Sequence, residues 1–176
     1  MQIFASERLT VLLISFALIF VLSVSSLVAQ QTFKIAGKTT AAYLVREEVE
    51  VGDTEGHILY LTNNKGFNES TGEHKFMDGA EVVWCAIADY IKGNGSHTTY
   101  TTMSLNDNAV YSKAKGKTTT TLSPEGKPVT TFEGTITFVE GTGKYKNIQG
   151  SCTYKGKLVS GVIIVNEWEG EYFIKK

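Results

Sequence analysis

Apolar and polar residues alternate with a period of two along most of the chain after residue 30, and this alternation limits the fold more than any other feature. Successive side chains of a β-strand point to opposite faces, whereas an amphipathic helix repeats its apolar residues every three or four positions. No segment after residue 30 keeps the helical repeat over three turns. The pattern therefore predicts an all-β domain.

Turns that contain glycine, asparagine or aspartate divide this part of the chain into segments of strand length. In residues 129–139, Phe132, Ile136 and Phe138 alternate with threonine and glutamate, and in residues 161–174 three glutamates face away from an apolar set. About eight strands at this spacing predict a single antiparallel β-barrel over residues 30–176, because closure leaves no exposed strand edge. An open β-sandwich is the alternative.

Three stretches near the start of this domain have mixed patterns. Residues 41–51 alternate Ala41, Tyr43 and valines with Leu44, Arg46 and glutamates, which predicts a strand with a polar outer face that includes Arg46. Residues 65–78 are polar and are predicted as a loop. Residues 80–92 are long enough for a helix, but the glycine-containing turns on both sides favour a strand in a hairpin.

The first 29 residues differ from the rest of the chain. Arg8 precedes an apolar run that extends from Val11 to Ala29, and polar residues follow at once. This arrangement is typical of a secretory signal peptide, so we expect an N-terminal signal helix over residues 1–29, cleavage after Ala29, and a secreted or periplasmic protein. The alternative is an uncleaved anchor, which would be the only contact with a membrane, because the run is long enough to cross a bilayer.

The charges are balanced, with 17 basic and 18 acidic residues, so we expect no nucleic-acid partner. The three histidines lack metal-ligand spacing, and we expect neither a metal nor a cofactor. An exported protein would hold Cys85 and Cys152 in an oxidising compartment, where a disulfide between them can form. Buried free thiols fit their strand positions equally well.

The segment 141–150 reads Gly-Thr-Gly-Lys-Tyr-Lys-Asn-Ile-Gln-Gly. Gly141 and Gly143 can adopt positive φ, which permits a tight reversal. Tyr145 and Ile148 are three positions apart, so one helical turn can place both on one face. The segment therefore predicts a strand connection that carries an apolar plug. A phosphate-binding loop is disfavoured, because no long helix follows.

Three pieces of the sequence occur in a characteristic order: Glu-Gly-His-Ile-Leu at 55–59, Asp-Gly-Ala-Glu-Val at 78–82, and residues 141–157, which contain Gly-Lys at 143–144 and again at 156–157. This order resembles the β-barrels of the allene oxide cyclase and dirigent families. It is more similar still to small secreted bacterial proteins with that barrel and no established function. The resemblance implies a closed barrel, an isomerase or cyclase that acts on a hydrophobic substrate in the lumen, and trimers. It supplies no catalytic residue that can be assigned to a position in this chain.

Ionisable residues at the start of a strand or within apolar runs are the candidates for acid–base chemistry, namely His57, Glu81 and Glu133. A carboxylate that faces a barrel lumen is desolvated, so its pKa rises and it can act as an acid or a base. On the outer face the same residues would be ordinary surface charges, and a shift of one residue in register decides between the two.

Aromatic residues on the predicted strands are the candidates for a ligand site: Tyr60, Trp84, Tyr100, Trp168 and Tyr172. Inside a barrel they can form the apolar walls of a small-molecule cavity, or they can fill the interior.

The sequence thus predicts an exported β-barrel that binds a small, partly apolar ligand or has a structural role in the cell envelope. The alternatives are an isomerase or cyclase acting on a hydrophobic substrate, and a protein–protein module that forms homo-oligomers. An open lumen would favour the small-molecule functions, and a packed lumen would leave only the structural and interaction functions.

Overall fold

The computed structural model describes residues 30–176, and the predicted signal peptide lies outside the described residues. This part of the chain folds into eight strands and one short 3-10 helix, Gly143–Tyr145. The strands are β1 Phe33–Glu50, β2 His57–Ser70, β3 Glu81–Ile91, β4 Asn94–Leu105, β5 Asn108–Leu122, β6 Pro128–Gly141, β7 Ile148–Val159 and β8 Ile163–Ile174. No helix long and apolar enough to cross a membrane is formed by residues 30–176.

The eight strands form one closed antiparallel barrel in chain order. Each strand pairs with the next, and β8 pairs with β1 from Phe33 opposite Tyr172 to Ala42 opposite Ile163. The first and last strands therefore close the barrel, and every strand has a neighbour on both sides. The predicted all-β barrel is confirmed, and the sandwich alternative is wrong.

The alternation of side chains fills the barrel as predicted in the later strands. In β6 and β8, Phe138, Ile164 and Trp168 are buried, while Glu133 and Glu167 are exposed. Inward apolar side chains from every strand except β2 belong to one core, so in those strands the pattern of period two corresponds to burial.

The prediction of a loop over residues 65–78 is wrong in its first half, because β2 continues to Ser70. Its inward positions there are polar or small, which made the stretch look solvated. Asn68 is 2% exposed, and its amide donates to the carbonyls of Phe76 at 3.0 Å and Met77 at 2.8 Å. Its oxygen accepts the Trp168 indole N–H at 3.2 Å. A buried asparagine that satisfies its hydrogen bonds is compatible with a strand interior.

The predicted polar outer face of residues 41–51 is also wrong, because β1 contains a β-bulge. The register with β2 shifts between Tyr43 and Val45, which leaves Leu44 as the extra residue. Beyond a bulge the facing of every side chain is reversed relative to a simple alternation. Arg46 therefore points into the lumen, and Val49 points to solvent with 61% of its surface exposed.

One end of the barrel is closed by aromatic and aliphatic side chains. Tyr145 and Ile148, from the segment after β6, are 3% and 1% exposed, which confirms the predicted apolar plug. Gly143 makes the turn at a φ of +58°, a conformation that favours glycine. Phe76 and Met77, from the β2–β3 loop, are each 2% exposed and complete the plug.

Candidate functional site

The barrel encloses a cavity of about 290 Å³ between the plug and the opposite end. Small-molecule pockets typically measure about 300 to 1,000 Å³, so this one suits a small ligand. Aromatic and aliphatic side chains form most of its wall, and threonine hydroxyls from several strands add polar groups. Its lining includes Val82, Trp84, Met103, Phe132, Ile136, Leu158, Ile164 and Trp168 with Thr39, Thr62, Thr99, Thr101, Thr120 and Thr130.

The structure brings three of the five predicted aromatic residues to this cavity, namely Tyr60, Trp84 and Trp168. Tyr100 lies on the outer face, 52% exposed, with the Lys113 ammonium 5.0 Å from its ring centre. Tyr172 stacks on Phe33 with ring centres 5.1 Å apart, at the plugged end and away from the cavity wall.

None of the three predicted acid–base residues faces the lumen. Glu81 is on the outer face of β3, 2.7 Å from the Lys65 ammonium, and Glu133 is exposed on β6. The ring nitrogens of His57 lie 2.5 Å from Asp53 and 2.9 Å from Asp89, also outside. All three side chains lie on the outer face of the barrel, so they are not candidates for chemistry in the lumen.

No disulfide joins Cys85 and Cys152, and both thiols are free. Cys85 is exposed on β3, whereas Cys152 is buried on β7. Strands β3 and β7 are not neighbours in the barrel, and the two thiols point to opposite faces. Burial raises the pKa of the Cys152 thiol to about 12, so this residue is a core thiol and not a nucleophile.

A chain of four hydrogen-bonded side chains runs along the cavity wall, and we call it the His97 network: Tyr90, Thr118, His97 and Tyr154. The Tyr90 hydroxyl is 2.6 Å from the Thr118 hydroxyl. His97 Nδ1 is 3.0 Å from the same Thr118 oxygen, and its Nε2 is 2.5 Å from the Tyr154 hydroxyl. All four side chains line the cavity.

Two glycines make the contact between His97 and Tyr154 possible. His97 on β4 is opposite Gly116 on β5, Gly116 is opposite Gly134 on β6, and Gly134 is opposite Tyr154 on β7. A Cβ on Gly116 would lie 2.3 Å from the Tyr154 oxygen and 2.7 Å from His97 Nε2. The bare backbone of β5 and β6 thus lets the two side chains meet across two strands.

Burial keeps the network uncharged near neutral pH. Loss of hydration lowers the pKa of His97, because the imidazolium is the charged form. Loss of hydration also raises the pKa of Tyr154 and of Tyr90, because their charged form is the phenolate. The network therefore consists of a neutral imidazole and three neutral hydroxyls, each of which can donate and accept a hydrogen bond.

Arg46 supplies the positive charge of the cavity at the end opposite the plug. Its guanidinium lies 5.1 Å from the ring centre of Tyr60 and 5.7 Å from that of Tyr43. Its Nε is 2.8 Å from a Glu48 carboxylate oxygen, and its side chain is 39% exposed. The two tyrosine rings hold the cation at this rim through cation–π contacts. Among residues 30–176, no group of three or more His, Cys, Asp or Glu side chains could hold a metal ion.

The sequence did not predict any residue of the His97 network as an acid or a base. On β4 the inward set, with His97, Thr99 and Thr101, is as polar as the outward set, with Thr98 and Thr102, so alternation does not show which set is buried. The available signal was the pair Gly116 and Gly134, since a glycine within a strand often marks a close approach of other groups. This glycine signal could be used only if the register that pairs β5 with β6 was known.

The solved structures that are similar to this chain include two dirigent proteins. The pterocarpan synthase dirigent protein GePTS1 aligns with a TM-score of 0.46 and 10% sequence identity, over 84% of this chain and 88% of that chain. The pterocarpan synthase dirigent protein PsPTS1 aligns with a TM-score of 0.36 and 13% identity, over 83% of this chain and 97% of that chain. No family model and no curated protein sequence matches this chain. The barrel is established by the strand pairing and not by these likenesses.

Proposed function

We propose that the protein binds a small, partly apolar molecule in the lumen of its barrel. The observation that supports this most directly is the cavity of about 290 Å³ beside Trp84 and Trp168. Protein interiors are normally packed with few voids larger than a water molecule, so a barrel with a purely structural role has no need for this space. The plug shows that the same chain packs its interior densely elsewhere.

The composition of the cavity wall supports a ligand with an apolar body and at least one polar group. Trp84, Phe132 and Trp168 offer apolar surface, and burial of apolar ligand surface contributes about 25 cal/mol per Å². The His97 network and the threonine hydroxyls offer hydrogen bonds to a polar group. Native mass spectrometry of protein purified from its natural source can detect a molecule that copurifies, and that molecule identifies the ligand.

Binding can be measured with the protein's own fluorescence, because both tryptophans of the chain line the cavity. Naphthalene is a suitable first probe, since it tests the apolar walls alone. We expect saturable quenching of tryptophan emission in the wild type. We expect binding at least about tenfold weaker in Ala86→Phe, because Ala86 lines the cavity and a phenyl ring there would fill it.

The matched control is Ile87→Phe, the next residue of β3, which points outward and is 57% exposed. This variant should bind naphthalene like the wild type. If the wild type shows no saturable quenching, or if Ala86→Phe binds as tightly as Ile87→Phe, the lumen is not the binding site.

A further inference from the structure

We propose that the His97 network is a proton relay that interconverts the keto and enol forms of an uncharged, enolisable ketone in the lumen. This inference rests on the proposed ligand-binding function and names the reaction and the substrate class for the same cavity. It is carried by the geometry of four side chains, Tyr90, Thr118, His97 and Tyr154, which join two phenol groups of the cavity wall by three hydrogen bonds.

The two ends of the network are available to a ligand. Tyr90 and Tyr154 both line the cavity. Within residues 30–176, the only side-chain hydrogen bond of the Tyr90 hydroxyl is to Thr118, and that of the Tyr154 hydroxyl is to His97. A phenol can donate one hydrogen bond and accept others, so each end retains capacity for a partner in the cavity.

A neutral imidazole with hydroxyls at both nitrogens allows two arrangements of the protons. In the first, Tyr154 donates to His97 Nε2, Nδ1–H donates to Thr118, and Thr118 donates to Tyr90, whose proton is then free for the ligand. In the second, every donor and acceptor is exchanged, and the Tyr154 proton is free. In both arrangements one end of the network donates to the lumen while the other end accepts.

Passage from the first arrangement to the second moves one proton across a bound ketone. The bond from the α-carbon to its hydrogen breaks, and the proton goes to the Tyr154 oxygen. The electron pair of that bond becomes the carbon–carbon double bond of the enol, and the carbonyl π pair forms a bond to the proton of Tyr90. Within the network, Tyr154 passes its proton to Nε2, Nδ1 passes one to Thr118, and Thr118 passes one to Tyr90.

The atoms and charges of this step balance without a co-reactant. The protein receives one proton and releases one, and the ligand is isomerised without oxidation or reduction. The reverse reaction, from enol to ketone, returns the network to its first arrangement. Neither direction requires an ion in the cavity wall, which suits groups that burial keeps neutral.

The substrate class follows from the chemistry at the two ends of the network. An uncharged ketone has an oxygen that accepts the Tyr90 proton and an α-carbon that gives up a proton to Tyr154. The Arg46 guanidinium, the cation of the cavity, lies at the rim and is paired with Glu48. The walls around the network include Phe132 and Ile136, which suit the hydrocarbon body of the ketone.

The test uses 2-tetralone as the ketone and tetralin, its parent hydrocarbon, as a binding probe. Nuclear magnetic resonance in D₂O measures the exchange of the acidic α-protons of 2-tetralone for deuterium, and the change in tryptophan emission measures the binding of both compounds. General acid–base catalysis typically contributes about 100- to 10,000-fold. We expect the wild type to accelerate exchange about 100-fold over either Tyr154→Phe or Thr118→Val, each of which breaks one link of the network.

The control is Tyr100→Phe, a tyrosine on the outer face, which should exchange 2-tetralone like the wild type. Unchanged tetralin binding in Tyr154→Phe and Thr118→Val shows that these variants are folded. If 2-tetralone binds and its exchange is no faster with the wild type than with Tyr154→Phe, the relay is overturned and the binding function stands. Full exchange activity in Thr118→Val also overturns the relay. If neither tetralin nor 2-tetralone binds, both proposals fail.

Discussion

His57 and His97 show how the two faces of one barrel wall set the protonation of the same residue type. His97 faces the lumen, and loss of hydration lowers its pKa. His57 faces outward, and hydrogen bonds to Asp53 and then Asp89 raise its pKa. Loss of hydration thus lowers the pKa of one histidine, and carboxylate partners raise the pKa of the other. Only the surroundings of the inner histidine favour its neutral form.

The cluster around His57 gives stability a defined pH dependence. The raised pKa of His57 means that its contribution is fully present below about pH 6.5, its ordinary value, and is lost as the pH rises through the higher folded-state pKa. The hydrogen bond to His57 lowers the pKa of Asp53, so the Asp53 contribution is present above about pH 3.8 and is lost as the pH falls through the lower folded-state value. Together they stabilise most between these two limits.

We expect His57→Gln to lower the free energy of unfolding more at about pH 5.5 than at about pH 8.5, as measured by urea denaturation. Adding Asp53→Asn to His57→Gln should cause little further loss at pH 5.5, because the partner is already absent. An equal loss at both pH values would show that the ion pairs of His57 are not responsible.

Whether a side chain points into the lumen or out to solvent decided which site residues could be predicted. Tyr60, Trp84 and Trp168 were predicted as candidates because large aromatics on strands are common cavity walls, and the structure places them there. Glu81 and Glu133 were candidates because they interrupt apolar runs, yet they belong to the outer set of their strands. The period of two identifies two faces, but it does not say which one is inside when both are polar.

At the scale of the strand, the β-bulge in β1 is the feature that shapes the cavity rim. It places Arg46 inside and Val49 outside, although the sequence alternation alone would do the opposite. A bulge adds one residue without a sequence signature of its own, so the inward and outward residues beyond it were predicted the wrong way round. The sequence predicted this strand from residue 41 and its approximate end, whereas β1 begins at Phe33.

We expect deletion of Leu44 to preserve the fold and the position of Arg46, because Leu44 is the extra residue and is 62% exposed. Deletion of Leu61 from the regular part of β2 should unfold the protein, because it would reverse the facing of the following side chains. Circular dichroism on heating, with naphthalene binding as a second measurement, distinguishes the two variants. Loss of structure in the Leu44 deletion would contradict this account of the bulge.

The other differences between expected and observed strands also have a physical cause. The end of β2 was assigned to a loop because Asn64, Gly66 and Asn68 occupy inward positions in which apolar residues are usual. The β3, β6 and β8 strands were predicted well because their inner faces are apolar or their outer faces are charged. Where the two faces of a strand differ clearly in polarity, the sequence shows which face is inside, and where the interior is polar it does not.

At the scale of the whole molecule, the outer surface of the barrel is divided. On β5 to β8 it is charged, with Lys115, Lys117, Glu167, Glu169 and Glu171 exposed. On β1 to β3 it carries an outer apolar patch, which we define as Val49, Leu59, Leu61 and Ile87, each 41% to 61% exposed. The cross-strand pairs Val49–Leu59 and Leu61–Ile87 make this patch continuous.

We propose that two or more copies of this chain associate through the outer apolar patch. Glu47 lies opposite Leu61 and Asp89 lies opposite Leu59 on the same outer face, so the charges beside the patch are acidic. The apolar side chains exposed on three adjacent strands are therefore the surface that a second copy would cover. We expect the wild type to be oligomeric by light scattering and Leu61→Glu to be monomeric. The control Thr137→Glu, on the charged side, should remain oligomeric, and a wild type that is monomeric at high concentration would contradict the proposal.

Within residues 30–176, the plug formed by Phe76, Met77, Tyr145 and Ile148 closes one end of the barrel and leaves the end at Arg46 as the entrance. A molecule in the lumen must therefore depart by the way it arrived, and a second one cannot push through behind it. Any two compounds that occupy this space should compete strictly, and the residence time of the first should limit how soon the next can enter.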